Sequence, residues 1–377
     1  MDVTPDVTTP PPVNFRWKIF LRNAAYFVVG LLIFLFSLDL MISSLQQLGA
    51  GVSDTILLAT SNPFTGLFIG LLVTALIQSS SATTSMTVAL VASGSLSLQG
   101  AVPIIMGANI GTTITSTIVS LSFINHKKEF RRAVAAGTYH DFFNILTALV
   151  LFPLEYNFHI LSGLAEFIAI NFFHEPAVQA SQNFKLLGPS LSWPVNFITE
   201  KIGNGYVLAS LSIVLLFGSI LFFRKTITSL MGLGSQEKLQ RFFFKNPFKS
   251  FGWGLLTTAA IRSSTVTTSL VVPLVAKKII KLRQAGAFIL GANVGTTITA
   301  FMASTFNSNA AISIALTHFL FNFIGVLLFF RTPYLKEIPF KLALGIGKLT
   351  LRNRLVGFLY LLLAFFLIPF SLIYLSQ

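Results

Sequence analysis

The chain contains no cysteine, which excludes a disulfide framework, thiol catalysis and cysteine-based metal sites. It is also short of charge. Asp, Glu, Lys and Arg make up 10% of its 377 residues, against about 25% in an ordinary soluble protein. Acidic residues are the scarcer kind, 12 against 26 Lys and Arg. The five histidines show no HExxH or related metal spacing and are expected at interfaces or in packing. No nucleophile lies beside a recognisable general base, so an enzyme is not expected. What the chain does have is apolar residues, 54% of the total. A water-soluble protein of this length needs far more polar surface, so the chain reads as an integral membrane protein. The net charge of +14 would suggest nucleic acid only if the cations shared a surface, and they do not.

The first residues, MDVTPDVTTPPPVN, are polar and proline-rich, and no cleavable signal peptide is expected. Arg16, Lys18 and Arg22 precede an apolar run over 26–42, the pattern of a signal-anchor helix with a cytoplasmic N-terminus. Further apolar stretches occupy 64–92, 101–124, 133–152, 205–223, 251–276, 284–304, 310–330 and 355–375. Nine crossings would place the basic segment HKKEFRR (126–132) outside. If 64–92 and 251–276 instead enter and return as re-entrant hairpins, 23 of the 26 cations fall inside, and only Lys185 and Lys201 remain outside with Arg262 in the membrane. The positive-inside rule therefore favours about seven spanning helices with two hairpins. The charge reports topology, and a nucleic-acid partner is not expected.

An internal repeat sharpens this picture. Residues 70–115 match 254–299 without a gap, with 26 identities in 46 positions. A shorter echo pairs His140 and Asn144 of HDFFN with His318 and Asn322 of HFLFN. In the first copy a neutral linker follows the hairpin and a basic segment follows the next helix; in the second copy the order is reversed. The copies therefore face opposite sides. Inverted repeats with polar, broken segments at matching positions are the arrangement of secondary transporters, with substrate near the midplane.

Residues 78–85 place seven hydroxyl or amide side chains in eight positions midway along the first hairpin. Serine and threonine in membranes commonly bond back to their own helix carbonyls, but the recurrence of the cluster in an inverted copy favours a binding role. Hydroxyls can donate to an anionic oxygen, and a helix N-terminus exposed at a hairpin tip presents free N–H groups to anions. Hydroxyl, amide and carbonyl oxygens also suit a hard cation such as sodium. The glycine motifs GANIGTT (107–113) and GANVGTT (291–297) suggest either close helix packing or oxygen ligands at Asn109, Thr112, Thr113, Asn293, Thr296 and Thr297. Gly66 and Gly70 are expected to serve packing. Asp39 and Asp141 are acids in apolar spans, candidates for coupling or for a structural ion pair.

With these motifs, and with SLD (38–40), SNPFTGLFIGLLVTALIQSSS (61–81), FRRAVAAGTYHDFFN (130–144), LFPLE (151–155), THFLFN (317–322) and RLVGFLYLLLAFFLIPF (354–370), the chain resembles the type II sodium–phosphate cotransporter family over most of its length. The resemblance implies a plasma-membrane symporter moving inorganic phosphate inward with sodium as co-transported substrate and no other cofactor. By position it assigns phosphate contacts to Gln78, Ser79, Ser80, Ser81, Asn109, Thr112, Ser263, Ser264, Thr265 and Asn293. It assigns sodium contacts to Ser263, Asn293, Thr296 and Thr299.

Departures from the family pattern carry their own expectations. Arg262 stands where the pattern has Gln, and a permanently charged guanidinium is not an oxygen ligand. It is expected to replace a sodium ion or to fork onto phosphate, unless it pairs with Asp39 or Asp141. Asn125-His126 replace a Gly-Asp pair of electrogenic relatives, so one sodium site is doubtful. The pattern's final helix, outer-loop disulfide and regulatory domain have no counterpart in the sequence.

The expected organisation is all-α: a cytoplasmic tail (1–22), a first inverted repeat (23–153), an outer loop region (154–204), a second repeat (205–330), and a cytoplasmic loop with a last transmembrane helix (331–377). The competing readings are transport of another oxyanion, sodium-independent phosphate transport, and an anion channel or a transport-dead receptor.

Overall fold

The computed structural model describes residues 17–48, 60–173, 193–228, 243–304 and 309–375. Most of the expected N-terminal tail and the middle of the outer loop lie outside the described residues. Among those described, the chain is helical without strands, and six helices are long and apolar enough to cross a membrane.

Helix α1 (Trp17–Leu48) is followed by the first hairpin, α2 (Pro63–Ile77) and α3 (Ser80–Ala92). Its counterpart is formed by α10 (Pro247–Ile261) and α11 (Ser264–Ala276), after α9 (Gly205–Thr228). The two hairpins begin in the same way. Asn62 and Asn246 are N-caps whose Oδ1 atoms accept from the N–H groups of Phe64 at 3.0 Å and Lys249 at 2.8 Å. Pro63 and Pro247 fill the first helical position, where a missing N–H costs nothing. The repeat thus extends upstream of residue 70 in structure as well as in sequence.

Each hairpin is followed by a helix carrying a glycine motif, and both helices are interrupted just after it. These are α4 (Leu98–Gly111) with α5 (Ile114–Leu121), and α12 (Leu282–Gly295) with α13 (Thr297–Ser304). At the interruptions the backbone tightens to three-residue bonds, Ser116 N–H to Thr113 and Thr299 N–H to Thr296. The glycines have a packing role. A Cβ on Gly107 would run into the Leu67 carbonyl of α2, and one on Gly291 into the Phe251 carbonyl of α10. Gly70 and Gly254 make the reciprocal approach. Gly66 does not, since a Cβ there would meet only ordinary contacts.

The long helix α6 (Lys127–Phe158) and α14 (Asn309–Val326) carry the HDFFN and HFLFN sequences and are mostly buried. Packing is exchanged between the copies: α3 lies against α13 and α14, and α11 against α5 and α6. In the region expected to lie outside, whose structure the sequence leaves open, α7 (Ile160–Phe172) and α8 (Trp193–Ile202) form. The basic segment 331–354 contains helix α15 (Glu337–Arg352), which buries Pro339, Phe340, Ala343, Gly347 and Thr350 and packs on α6. Arg283 forks onto Glu337 at 2.6 and 2.7 Å and holds its carboxyl below the ordinary carboxylate range. The chain continues through α16 (Leu355–Leu362) and α17 (Ile368–Leu375), a mostly exposed apolar path.

Candidate functional site

The hairpin tips are built by two adjacent residues with opposite backbone habits. Gln78 ends α2 in the left-handed region (φ 56, ψ 33), and its N–H donates to the Thr74 carbonyl at 2.7 Å. Ser79 then returns to extended backbone and caps α3, its Oγ accepting from the Ala82 N–H at 3.2 Å. In the second copy Arg262 (φ 58, ψ 28) and Ser263 repeat the turn, with Ser263 Oγ accepting from the Val266 N–H at 3.3 Å. The first N–H groups of α3 and α11, at Ser80, Ser81, Ser264 and Thr265, lack a helical carbonyl within reach. All four residues are buried. Ordered N–H donors at a helix start suit an oxyanion.

Two matched pairs of hydroxyls are used differently in the two copies, although Thr84, Ser85 and Thr115 of the first copy are also buried without a hydrogen-bond partner among the described residues. In the first, Thr74 Oγ1 donates to Thr83 Oγ1 at 2.8 Å, and Thr112 Oγ1 donates back to the Ala108 carbonyl at 2.8 Å. In the second, the equivalent Thr258 and Thr296 hydroxyls, with Ser264 and Thr299, are buried and find no hydrogen-bond partner among the described residues. Burying an unbonded hydroxyl is costly, so each of these marks a place suited to a bound cation or water. Thr258 was not singled out in the sequence; the signal was its alignment with Thr74, four residues before the tip.

Asn109 and Asn293 are held by each other's surroundings. Asn293 Oδ1 meets His140 Nε2 at 3.0 Å, and its amide nitrogen donates to Asn144 Oδ1 at 2.8 Å and Asn322 Oδ1 at 2.7 Å. Asn109 Oδ1 meets His318 Nε2 at 3.2 Å and accepts from Asn322 Nδ2 at 3.1 Å. Asn144 Nδ2 donates to the Asn109 carbonyl at 2.6 Å. The interface role expected of the histidines is therefore the one found for His140 and His318.

Asp141 is fully buried and accepts from Thr117 Oγ1 at 3.0 Å. The Thr113 and Tyr360 hydroxyls also lie against its carboxyl, and no ion pair with Arg262 is found for it among the described residues. Asp39 is buried in α1. Ser116 Oγ donates to Thr268 Oγ1 at 3.2 Å, a direct link from the first copy to the second hairpin.

The profile of the Na+/Pi-cotransporter family matches residues 33–154 and 214–353. The human sodium-dependent phosphate transport protein 2B is 30% identical over 440 residues, covering 91% of this chain and 64% of its own length. The sheep protein 2A is 32% identical over 418 residues, covering 90% and 65%. The rabbit protein 2A is 32% identical over 435 residues, covering 94% and 67%. The chain thus spans about two thirds of the length of these relatives, and no solved structure matches it. Inverted polar hairpins, glycine-packed broken helices and this similarity converge: the chain belongs to the Na+/Pi-cotransporter family.

Proposed function

We propose that the chain is a secondary transporter that imports inorganic phosphate by sodium symport across the plasma membrane, with its N-terminus in the cytoplasm. The observation that carries this reading is the pair of matching hairpin tips, each a left-handed residue followed by a serine cap and buried hydroxyls. Phosphate is held by the helix-start N–H groups at Ser80, Ser81, Ser264 and Thr265, with Gln78, Ser79, Thr112 and Ser263 around it. Sodium is held on the second copy, where Thr296 and Thr299 have hydroxyl oxygens without a partner among the described residues, together with Ser263. Bound side by side near the midplane, each ion offsets the desolvation of the other. The relatives' names support both the substrate and the coupling ion. Asp141, buried and joined through Thr117 to the helix after the first glycine motif, is the stronger coupling candidate of the two acids.

A second reading concerns Arg262 alone. It takes the backbone position of Gln78 but is buried, 8% exposed, and its charge is permanent. In this reading it stands in for one sodium ion beside phosphate.

Labelled phosphate uptake into proteoliposomes, measured against external sodium, tests the proposal. Saturable accumulation that requires a sodium gradient supports it. Accumulation independent of sodium would leave a phosphate carrier without symport, and failure to accumulate against a gradient would point to a channel or receptor. Competition with arsenate measures how narrowly the anion is defined.

A further inference from the structure

The histidines of HDFFN and HFLFN are paired crosswise. His140 of the first copy meets Asn293 of the second, and His318 of the second meets Asn109 of the first. An amide oxygen only accepts, so each ring must donate through Nε2–H, which sets its tautomer. Asn293 has both amide hydrogens engaged, by Asn144 and Asn322, and its oxygen by His140. Asn322 in turn donates to Asn109 and to the His318 carbonyl at 3.1 Å. Donor and acceptor roles are thus dictated around the whole buried network, and every amide has a single workable orientation.

The consequence reaches the hydroxyls. Thr112 and Thr296 lie three residues after Asn109 and Asn293, as the C-cap residues of α4 and α12. Residues three apart are neighbours on a helix surface, so whatever fixes the rotation of α4 and α12 at the asparagines also places the hydroxyls at their ends. Resting on the transport reading above, we propose that His140 and His318 are positioning residues for phosphate and sodium. Each clamps the glycine-motif asparagine of the opposite repeat, and together they hold the two interrupted helices in one register. Asn109 and Asn293 serve as the clamped braces in this arrangement and not as ion ligands.

The test is uptake in proteoliposomes at matched transporter amounts. His140→Phe and His318→Phe each remove the donor while keeping a ring. Each is expected to raise the half-saturating phosphate and sodium concentrations about tenfold, the scale of one lost buried hydrogen bond with an unpaired acceptor. The maximal rate per transporter should change far less. Unchanged half-saturation in both, or a fall only in the amount of folded protein, would overturn the proposal. Should the Phe variants not accumulate, His140→Gln and His318→Gln decide, because a misplaced donor should still shift half-saturation, and no shift in either would overturn it. If the wild type itself transports no phosphate, the transport reading fails separately. The clamp is then judged by melting of the purified His140→Phe, Asn293→Ala and double variants. Non-additive shifts support it, and strictly additive ones refute it.

Discussion

Gln78 and Arg262 occupy one backbone conformation at the ends of their limbs, yet Gln78 is exposed and Arg262 is buried. The left-handed region is costly for a side-chain-bearing residue, by roughly 1 kcal/mol, and glycine would relieve it. Both hairpins carry a long polar side chain there instead, so the turn holds that side chain at the tip at some expense of stability. One backbone with two different side chains gives the two tips a difference of one charge.

Arg262→Gln converts the second tip to the chemistry of the first. Gln78 already shows that glutamine accepts this conformation, so the variant is expected to fold and to melt close to wild type. If the guanidinium replaces a sodium ion, the sodium-to-phosphate ratio should rise by a single ion. Parallel flux of both labelled ions measures it. An unchanged ratio with weaker phosphate affinity would instead place the guanidinium directly on phosphate.

The unequal use of Thr112 and Thr296, matched residues of the two copies, predicts an unequal response to their removal. Thr299→Ala and Thr296→Ala delete buried oxygens that make no protein hydrogen bond among the described residues. They are expected to weaken apparent sodium affinity about tenfold, equivalent to ~1.4 kcal/mol, while costing little stability. Thr112→Ala removes a hydroxyl that already donates to the Ala108 carbonyl, and its effect on sodium should be smaller. Sodium-activation curves at saturating phosphate rank the three, and equal effects would contradict the assignment of the cation to the second copy.

Much of this arrangement was legible before any coordinates, for identifiable reasons. The hairpin over 64–92 was marked by charge that would otherwise lie on the wrong side, and its polar midpoint falls at the Gln78–Ser79 turn. The glycine motifs left two options open; the clash of an added Cβ at Gly107 and Gly291 with facing carbonyls shows close packing by the glycines, which leaves the ligand role to the motif's other residues. The crossed pairing of His140 and His318 was out of reach. The echo of HDFFN in HFLFN shows that the copies correspond, but similarity does not say whether a residue meets its own repeat or the other. Helix α15 was concealed by its cations, because Phe340, Ala343, Gly347 and Thr350 form a narrow buried stripe that mean hydropathy dilutes.

The glycine contacts predict a sharp contrast within α2 and its partner. Gly107→Ala and Gly291→Ala drive a methyl into backbone, which no side-chain rotation can relieve. A loss of at least about 3 kcal/mol is expected, the upper end for overpacking, with little folded protein recovered. Gly66→Ala meets nothing closer than 3.5 Å and should gain up to about 1 kcal/mol in helix propensity. Melting temperatures of the purified variants check both signs.

Glu155, the last residue of LFPLE, caps the helix that follows it. The chain turns through His159 in the left-handed region (φ 51), and α7 starts without a capping side chain from that residue. Buried Glu155 supplies the cap from the preceding helix, its Oε2 accepting from the N–H groups of Leu161 at 2.7 Å and Ser162 at 3.1 Å. A carboxylate there also faces the positive end of the α7 dipole. Glu155→Ala leaves both donors bare and is expected to cost about 1–2 kcal/mol, whereas Glu155→Gln keeps an acceptor and should lose less. Neither should move the half-saturating phosphate concentration. A shift in that concentration without a change in melting would mean that Glu155 acts on transport itself, and the capping role would have to be abandoned as its main one.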